Sequence, residues 1–254
     1  MRSFIGFEIV CPNCAAKLAG KRLKTDSISF SELYSDGKML CNGLLSTEQK
    51  VVICPSCSHA FWNPNKTDTD FSLSGDAQEI LSENAVYQFS NWYLFGCDTT
   101  HSEGKRALIE RYQDLLILLK PYSSEQEMIL RKELLWAIND LVREKRQYHL
   151  SDIFNGKFNF FSWRNERKEW FRQHFLFAKF GLLHVSNIKR LIELTRISEE
   201  KDINRAFLAE LYREKGNFTK TIQLIGELSR STHYVSMILE KAKSGNSFVF
   251  KVAG

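Results

Sequence analysis

Cys11-Pro12-Asn13-Cys14 and Cys54-Pro55-Ser56-Cys57 decide the reading of this 254-residue chain. In a C-x2-C turn two thiolates converge on one ion while intervening backbone N–H groups point toward the sulfurs. Two such turns supply a tetrahedral four-sulfur site, the geometry that suits Zn²⁺. Proline after the first cysteine presets a backbone angle for each turn. A short apolar run leads into each knuckle, Phe4, Phe7, Ile9 and Val10 into the first and Val51-Val52-Ile53 into the second. Ala60-Phe61-Trp62 reads as a return strand, stopped by Asn63-Pro64-Asn65. Residues 15–53 separate the pairs, more than the ~15–20 residues of the common spacing. The ribbon therefore carries an inserted hairpin or loop.

Other chemistries share these ligands. Glutaredoxin-like redox chemistry places CPxC at the start of a long helix, but here Gly20 follows Cys14 after five residues. Iron in a rubredoxin-like site uses the same four thiolates, so spacing does not exclude it. Disulfides need an oxidising compartment. Met1–Glu8 places an acid where a signal peptide would be apolar, so a cytoplasmic location is expected. Cys41 lies in the insertion and is expected as a small buried hydrophobe, with a role as alternative ligand the other reading. Cys97 and His101 have metal-like spacing without a partner pair. His59 is expected to be exposed rather than a donor to a sulfur.

Outward from the knuckles the composition bounds the rest. Apolar residues make up 43% and charged residues 26%, which excludes a disordered chain. No run approaches the ~18–20 apolar residues of a membrane span. Proline occurs four times and never after Pro121, which permits long helices. From Asp76 the period turns helical: Ile80, Leu81, Val86, Phe89, Trp92 and Tyr93 form one apolar side, and Ala107 to Leu119 another. Ser123-Ser124-Glu125-Gln126-Glu127 has the form of a capping box. Further helices are expected over 164–182, 186–196, 200–214 and 218–243. The fold class is thus mainly α: a small β-rich zinc ribbon over 1–72, then an all-α, tetratricopeptide-like helix-hairpin domain over 73–254. The repeat-like signal is Leu208-Ala209, Tyr212, Gly216-Asn217-Phe218, Thr221, Ile225 and Leu228, with a weaker echo over Phe177–Leu194.

Residues 151–190 hold eight bases against three acids, with aromatics interleaved. Arg164, Arg167, Lys168 and Arg172 are the candidate nucleic-acid contacts, since cations neutralise phosphates and aromatic faces stack bases. The competing expectation puts Trp170, Phe171, Phe175 and Phe177 to Phe180 mostly in the core and leaves the bases as a solvated face. The net charge of +5 implies no nucleic acid or anionic membrane by itself. No HExxH, GxSxG, GxGxxG or phosphate-cradling glycine loop is present, and a four-thiolate metal offers no open position for activated water.

The paired knuckles Cys11, Cys14, Cys54 and Cys57, with helices after them, resemble a family of uncharacterised bacterial proteins with a long insertion between knuckles and tetratricopeptide-like helices. The insertion of that family often carries a cysteine about where Cys41 stands. After the second knuckle this chain has Ser58-His59 where the family has glycine and an aromatic. The expected function is non-catalytic: a zinc-containing adaptor or regulator that binds a protein or peptide through its helices, with no membrane and no small-molecule substrate. The alternative is nucleic-acid binding through the ribbon and the 151–190 bases.

Overall fold

The computed structural model describes residues 4–23, 30–41, 51–62, 88–89, 101–120, 123–143, 160–196, 202–229 and 232–253. The chain divides into two compact units. One comprises Met1–Glu32, Met39–Cys97 and Ile117–Lys120; the other comprises Leu33–Lys38, Asp98–Leu116 and Pro121–Gly254.

In the first unit, β1 (Phe4–Val10) and β2 (Lys17–Leu23) form an antiparallel hairpin whose turn is the first knuckle. β5 (Val51–Ile53) and β6 (Ala60–Trp62) form a second hairpin around the other knuckle. The insertion contributes β3 (Phe30–Tyr34), whose last two residues belong to the second unit, and β4 (Met39–Cys41). Ile9, Leu18, Val52 and Phe61 bury themselves against Cys11 and Cys54, so this small core is organised around sulfur. A core of that size is small for an independent domain, and small domains commonly draw on a metal for stability. The helix expected over Asp76–Tyr93 lies outside the described residues except at β7 (Gln88–Phe89). There the chain is instead a two-residue strand, parallel to Ala19–Gly20 of β2.

The second unit is mainly helical: α1 (Ser102–Leu118), α2 (Ser124–Asn139), α3 (Phe160–Lys179), α4 (Gly181–Arg196), α5 (Asp202–Glu214), α6 (Phe218–Gly226) and α7 (His233–Lys243). Ser123 opens α2 as a capping box: its Oγ accepts from the Gln126 N–H at 3.2 Å, and Gln126 Oε1 accepts from the Ser123 N–H at 2.9 Å. The single helix expected over 218–243 is two. α6 stops at Gly226, and Thr232 caps α7 by accepting from the Val235 N–H. β8 (Lys251–Ala253) pairs antiparallel with Leu33 and Tyr34.

Two apolar clusters hold the helices. Leu135, Ile188, Leu191, Leu208, Ala209, Leu211, Tyr212 and Leu224 form one; Ile109, Leu134, Ile138, Leu141 and Phe180 form the other. At the α5–α6 turn Gly216 has φ +81, a left-handed conformation that a Cβ would strain. Thr221 Oγ1 donates to the Ala209 carbonyl at 3.1 Å, a reach that the small Ala209 side chain permits.

The same unit buries an ionic cluster. Arg213 is fully buried and grips Glu210 with two nitrogens at 2.6 and 2.7 Å. Asn139 donates to Asp36 at 3.0 Å and to Glu214 at 3.1 Å, and its Oδ1 lies 3.1 Å from His184 Nε2. Tyr234 donates to the Ser35 carbonyl at 2.7 Å. Ser35 and Asp36 come from the turn between β3 and β4, within the knuckle insertion.

Candidate metal centre and the α3 face

The two knuckles fold alike. Cys11 N–H donates to the Ala16 carbonyl and Ala15 N–H to the Cys11 carbonyl; Cys54 N–H donates to His59 and Ser58 N–H to Cys54. Each turn closes through a left-handed residue, Ala15 at φ 57 and Ser58 at φ 58. That conformation explains why glycine would suit the position of Ser58.

The four Sγ atoms lie within 4.8 Å of one another. Cys11 and Cys57 are 3.7 Å apart, and Cys14 and Cys54 3.5 Å. A tetrahedron with Zn–S of about 2.3 Å has edges of about 3.8 Å. The separations exceed an S–S bond of about 2.05 Å, so these are free thiols. Cys11 and Cys54 are buried, Cys14 is exposed and Cys57 half-buried. The first cysteine of each pair anchors the core; the second closes the site from outside.

Electrostatics favour a cation here. The Asn13 side chain, and then the His59 backbone N–H, hydrogen-bond to the Cys57 sulfur and hold its thiol down at about 6. The backbone hydrogen bond at Ala16 pulls Cys14 the same way. The crowding sulfurs and desolvation outweigh it and push that thiol up to about 12. Four sulfurs this close do not all ionise together without a positive charge among them. The Cys11, Cys14, Cys54 and Cys57 cluster could hold a metal ion and is compatible with structural zinc. Asn13 is a sulfur partner that sequence reading missed, although its place inside the first C-x2-C turn is the signal that finds it. The His59 side chain is exposed, with its ring near that of Phe61. Cys41 falls in β4 and Cys97 outside the described residues.

Arg164, Arg167, Lys168 and Arg172 all lie on α3 and are exposed. The expectation that the α3 aromatics face the core holds only for some. Trp170 and Phe177 are half-buried, while Trp163 on α3 and Phe180 just after its end are buried. Phe161, Phe171 and Phe175 are 76%, 53% and 73% exposed. The reason is periodicity: Phe161, Lys168 and Phe175 recur at seven-residue steps, and Arg164, Lys168 and Arg172 at four-residue steps, so rings and cations share one arc. Among the described residues of α3, Glu166 and Glu169 are the only acids, and both lie off that arc. Glu169 instead accepts from the Ser102 N–H at 2.5 Å, at the start of α1, and sits 3.7 Å from Arg172. The Arg167 guanidinium lies over the Trp163 ring at 5.0 Å and the Phe171 ring at 5.5 Å. Beside Phe175 a shallow groove of about 210 Å³ opens between α1 and α3, lined by Ser102, Glu103, Arg106, Arg172, Phe175 and Leu176.

Geometry and sequence together define a protein with a zinc-ribbon-like four-cysteine centre and a mainly helical second unit. No family model, no curated protein and no solved structure matches this chain, so the resemblance noted above rests on the knuckles. No helix among the described residues is long and apolar enough to cross a membrane.

Proposed function

We propose that this chain is a non-catalytic, zinc-containing binding protein. Its ribbon holds one structural zinc on Cys11, Cys14, Cys54 and Cys57, and its helical unit presents the binding face on α3. The observation that carries this reading is the solvent-facing arc on which Phe161, Phe171 and Phe175 alternate with Arg164, Lys168 and Arg172. Large exposed rings on a soluble helix mark a binding surface, and an arc of like charge selects an anionic partner. A four-thiolate ion has no open coordination position, which fits a structural role for the metal.

The test is retention on an immobilised sulfated polysaccharide over a salt gradient. The zinc-loaded chain is expected to bind, and a combined Arg164→Glu, Lys168→Glu and Arg172→Glu variant to elute at clearly lower salt. Equal elution of the two proteins would remove α3 as the binding face. A protein or peptide partner lying along tetratricopeptide-like helix pairs is the second reading. The α5–α6 hairpin supports it, where Gly216 turns at positive φ, Thr221 Oγ1 reaches the Ala209 carbonyl and Tyr212 packs in the core.

A further inference from the structure

The α3 arc has a composition that distinguishes among anionic partners. Consecutive cations at Arg164, Lys168 and Arg172 stand about 6 Å apart along the helix, at 1.5 Å rise per residue. Lys179 extends the row. Phe171 and Phe175 are one turn apart on the same side, and Phe161 lies about 15 Å before Phe171. Rings and charges alternate along one line rather than separating into an apolar and a polar face. An interfacial membrane helix needs that separation, because burying its rings must leave its charges in the headgroup layer. On α3, sinking Phe171 and Phe175 would drag Lys168 and Arg172 down with them.

A duplex would meet the cations but give the rings nothing to stack on, since its bases are already stacked inside. A single strand exposes both groups, phosphates for the cations and base faces for the phenylalanines. The groove beside Phe175 lies next to this track, with Arg106 and Arg172 on its lining and Glu103 offering an acceptor to base N–H groups but not to phosphates.

We propose that the exposed arc of α3 binds single-stranded nucleic acid. The phosphates lie along Arg164, Lys168 and Arg172, and the bases stack on Phe171 and Phe175. This rests on the reading of α3 as the binding face and names its occupant.

The experiment is fluorescence anisotropy of the full, zinc-loaded chain with labelled oligothymidylate and oligouridylate of about twelve nucleotides, a blunt duplex of equal length, and phosphatidylserine vesicles. Single strands are expected to bind at least tenfold more tightly than the duplex. For three neutralised phosphates the slope of log K against log salt is about −2. Phe171→Ala and Phe175→Ala are expected to weaken single-strand binding about tenfold each and leave that slope unchanged. Lys168→Ala flattens it. These side chains are exposed, so the variants keep the fold, and far-ultraviolet circular dichroism checks this. Equal affinity for duplex, no effect of the phenylalanine changes, binding to vesicles alone, or no oligonucleotide binding at 50 mM salt each overturns the proposal. In any of those cases continued salt-sensitive retention on the polysaccharide, lost in the triple glutamate variant, leaves α3 as the binding face. Loss of both removes the two readings together.

Discussion

Arg143 and Asp36, 107 positions apart in sequence, meet through two hydrogen bonds of 2.9 and 2.6 Å, with side-chain exposures of 4% and 0%. The guanidinium also donates to Asp140 at 2.6 Å and lies over the Tyr34 ring. A turn from the knuckle insertion is thereby fixed inside the helical unit by a paired, buried charge.

Removing one partner strands the other. Arg143→Met is expected to destabilise the helical unit by about 3–5 kcal/mol, because it leaves the buried Asp36 carboxylate without its main counter-ion and its two hydrogen bonds. Replacing both residues by apolar side chains should cost less than the single change. Urea unfolding of the single and double variants checks this. A single variant that costs under about 1 kcal/mol would show that the pair is not what holds the turn.

Two glutamates should give opposite pH dependences. The hydrogen bonds from Arg190 hold Glu127 down at about 2, against the cost of burial and with help from Arg131. Its contribution is present above the ordinary value of 4.5 and disappears as pH falls toward 2, about 1–2 kcal/mol after discounting the half-exposed Arg190. Burial pushes Glu210 up to about 7 against the pull of Arg213. The unfolded chain gives up that proton first, so stability falls as pH rises from about 4.5 to 7, by at most about 3 kcal/mol. Calorimetric melting across pH 2–8 should show Glu127→Gln flattening the acid side and Glu210→Gln the neutral side. Profiles parallel to the unmodified protein would contradict both assignments.

The left-handed turn residues of the knuckles invite stabilisation. A Cβ in that conformation costs roughly 1–2 kcal/mol, partly offset by the extra freedom glycine has when unfolded. Ser58→Gly and Ala15→Gly are each expected to stabilise the ribbon by about 0.5–1 kcal/mol, and Ala15→Val to weaken it. Resistance to zinc extraction by a chelator ranks the three variants. The reverse order would mean that these turns do not keep φ near +57.

Metal content tests the centre itself. Elemental analysis should return about one zinc per chain, and Cys14→Ser or Cys57→Ser should lower it, since either leaves three thiolates. Chelation should release the order of β1, β2, β5 and β6, whose core is built on Cys11 and Cys54. Iron with a visible absorption band would replace zinc with an electron-transfer metal. Metal-free protein with four free thiols would remove the centre.

The knuckles were legible because C-x2-C spacing is local: four residues fix where two sulfurs point. The capping box at Ser123 and the turn at Gly216 were legible for the same reason. The partition of α3 was not. Composition pointed its phenylalanines inward, whereas Trp163 took a buried position and Phe161, Phe171 and Phe175 the outer ones. Reading the seven- and four-residue steps would have separated them. The ionic cluster gave no local signal at all. Asp36 sits in an Asp-Gly turn that reads as solvent-exposed chemistry, and its partners Asn139 and Arg143 are chosen by tertiary packing.

Leu33–Lys38 carries a final implication for how this chain can be cut, fused or inherited. The segment lies between the two cysteine knuckles yet belongs with the helices, pairing with Lys251 and Ala253 near the far end of the chain. A gene cut after residue 72 would deliver helices lacking Ser35 and Asp36, with Arg143 and Arg213 deprived of partners they were folded around. The knuckle region is therefore not a detachable cassette. Recombination that swapped it for a different ribbon would have to carry the matching turn along with it.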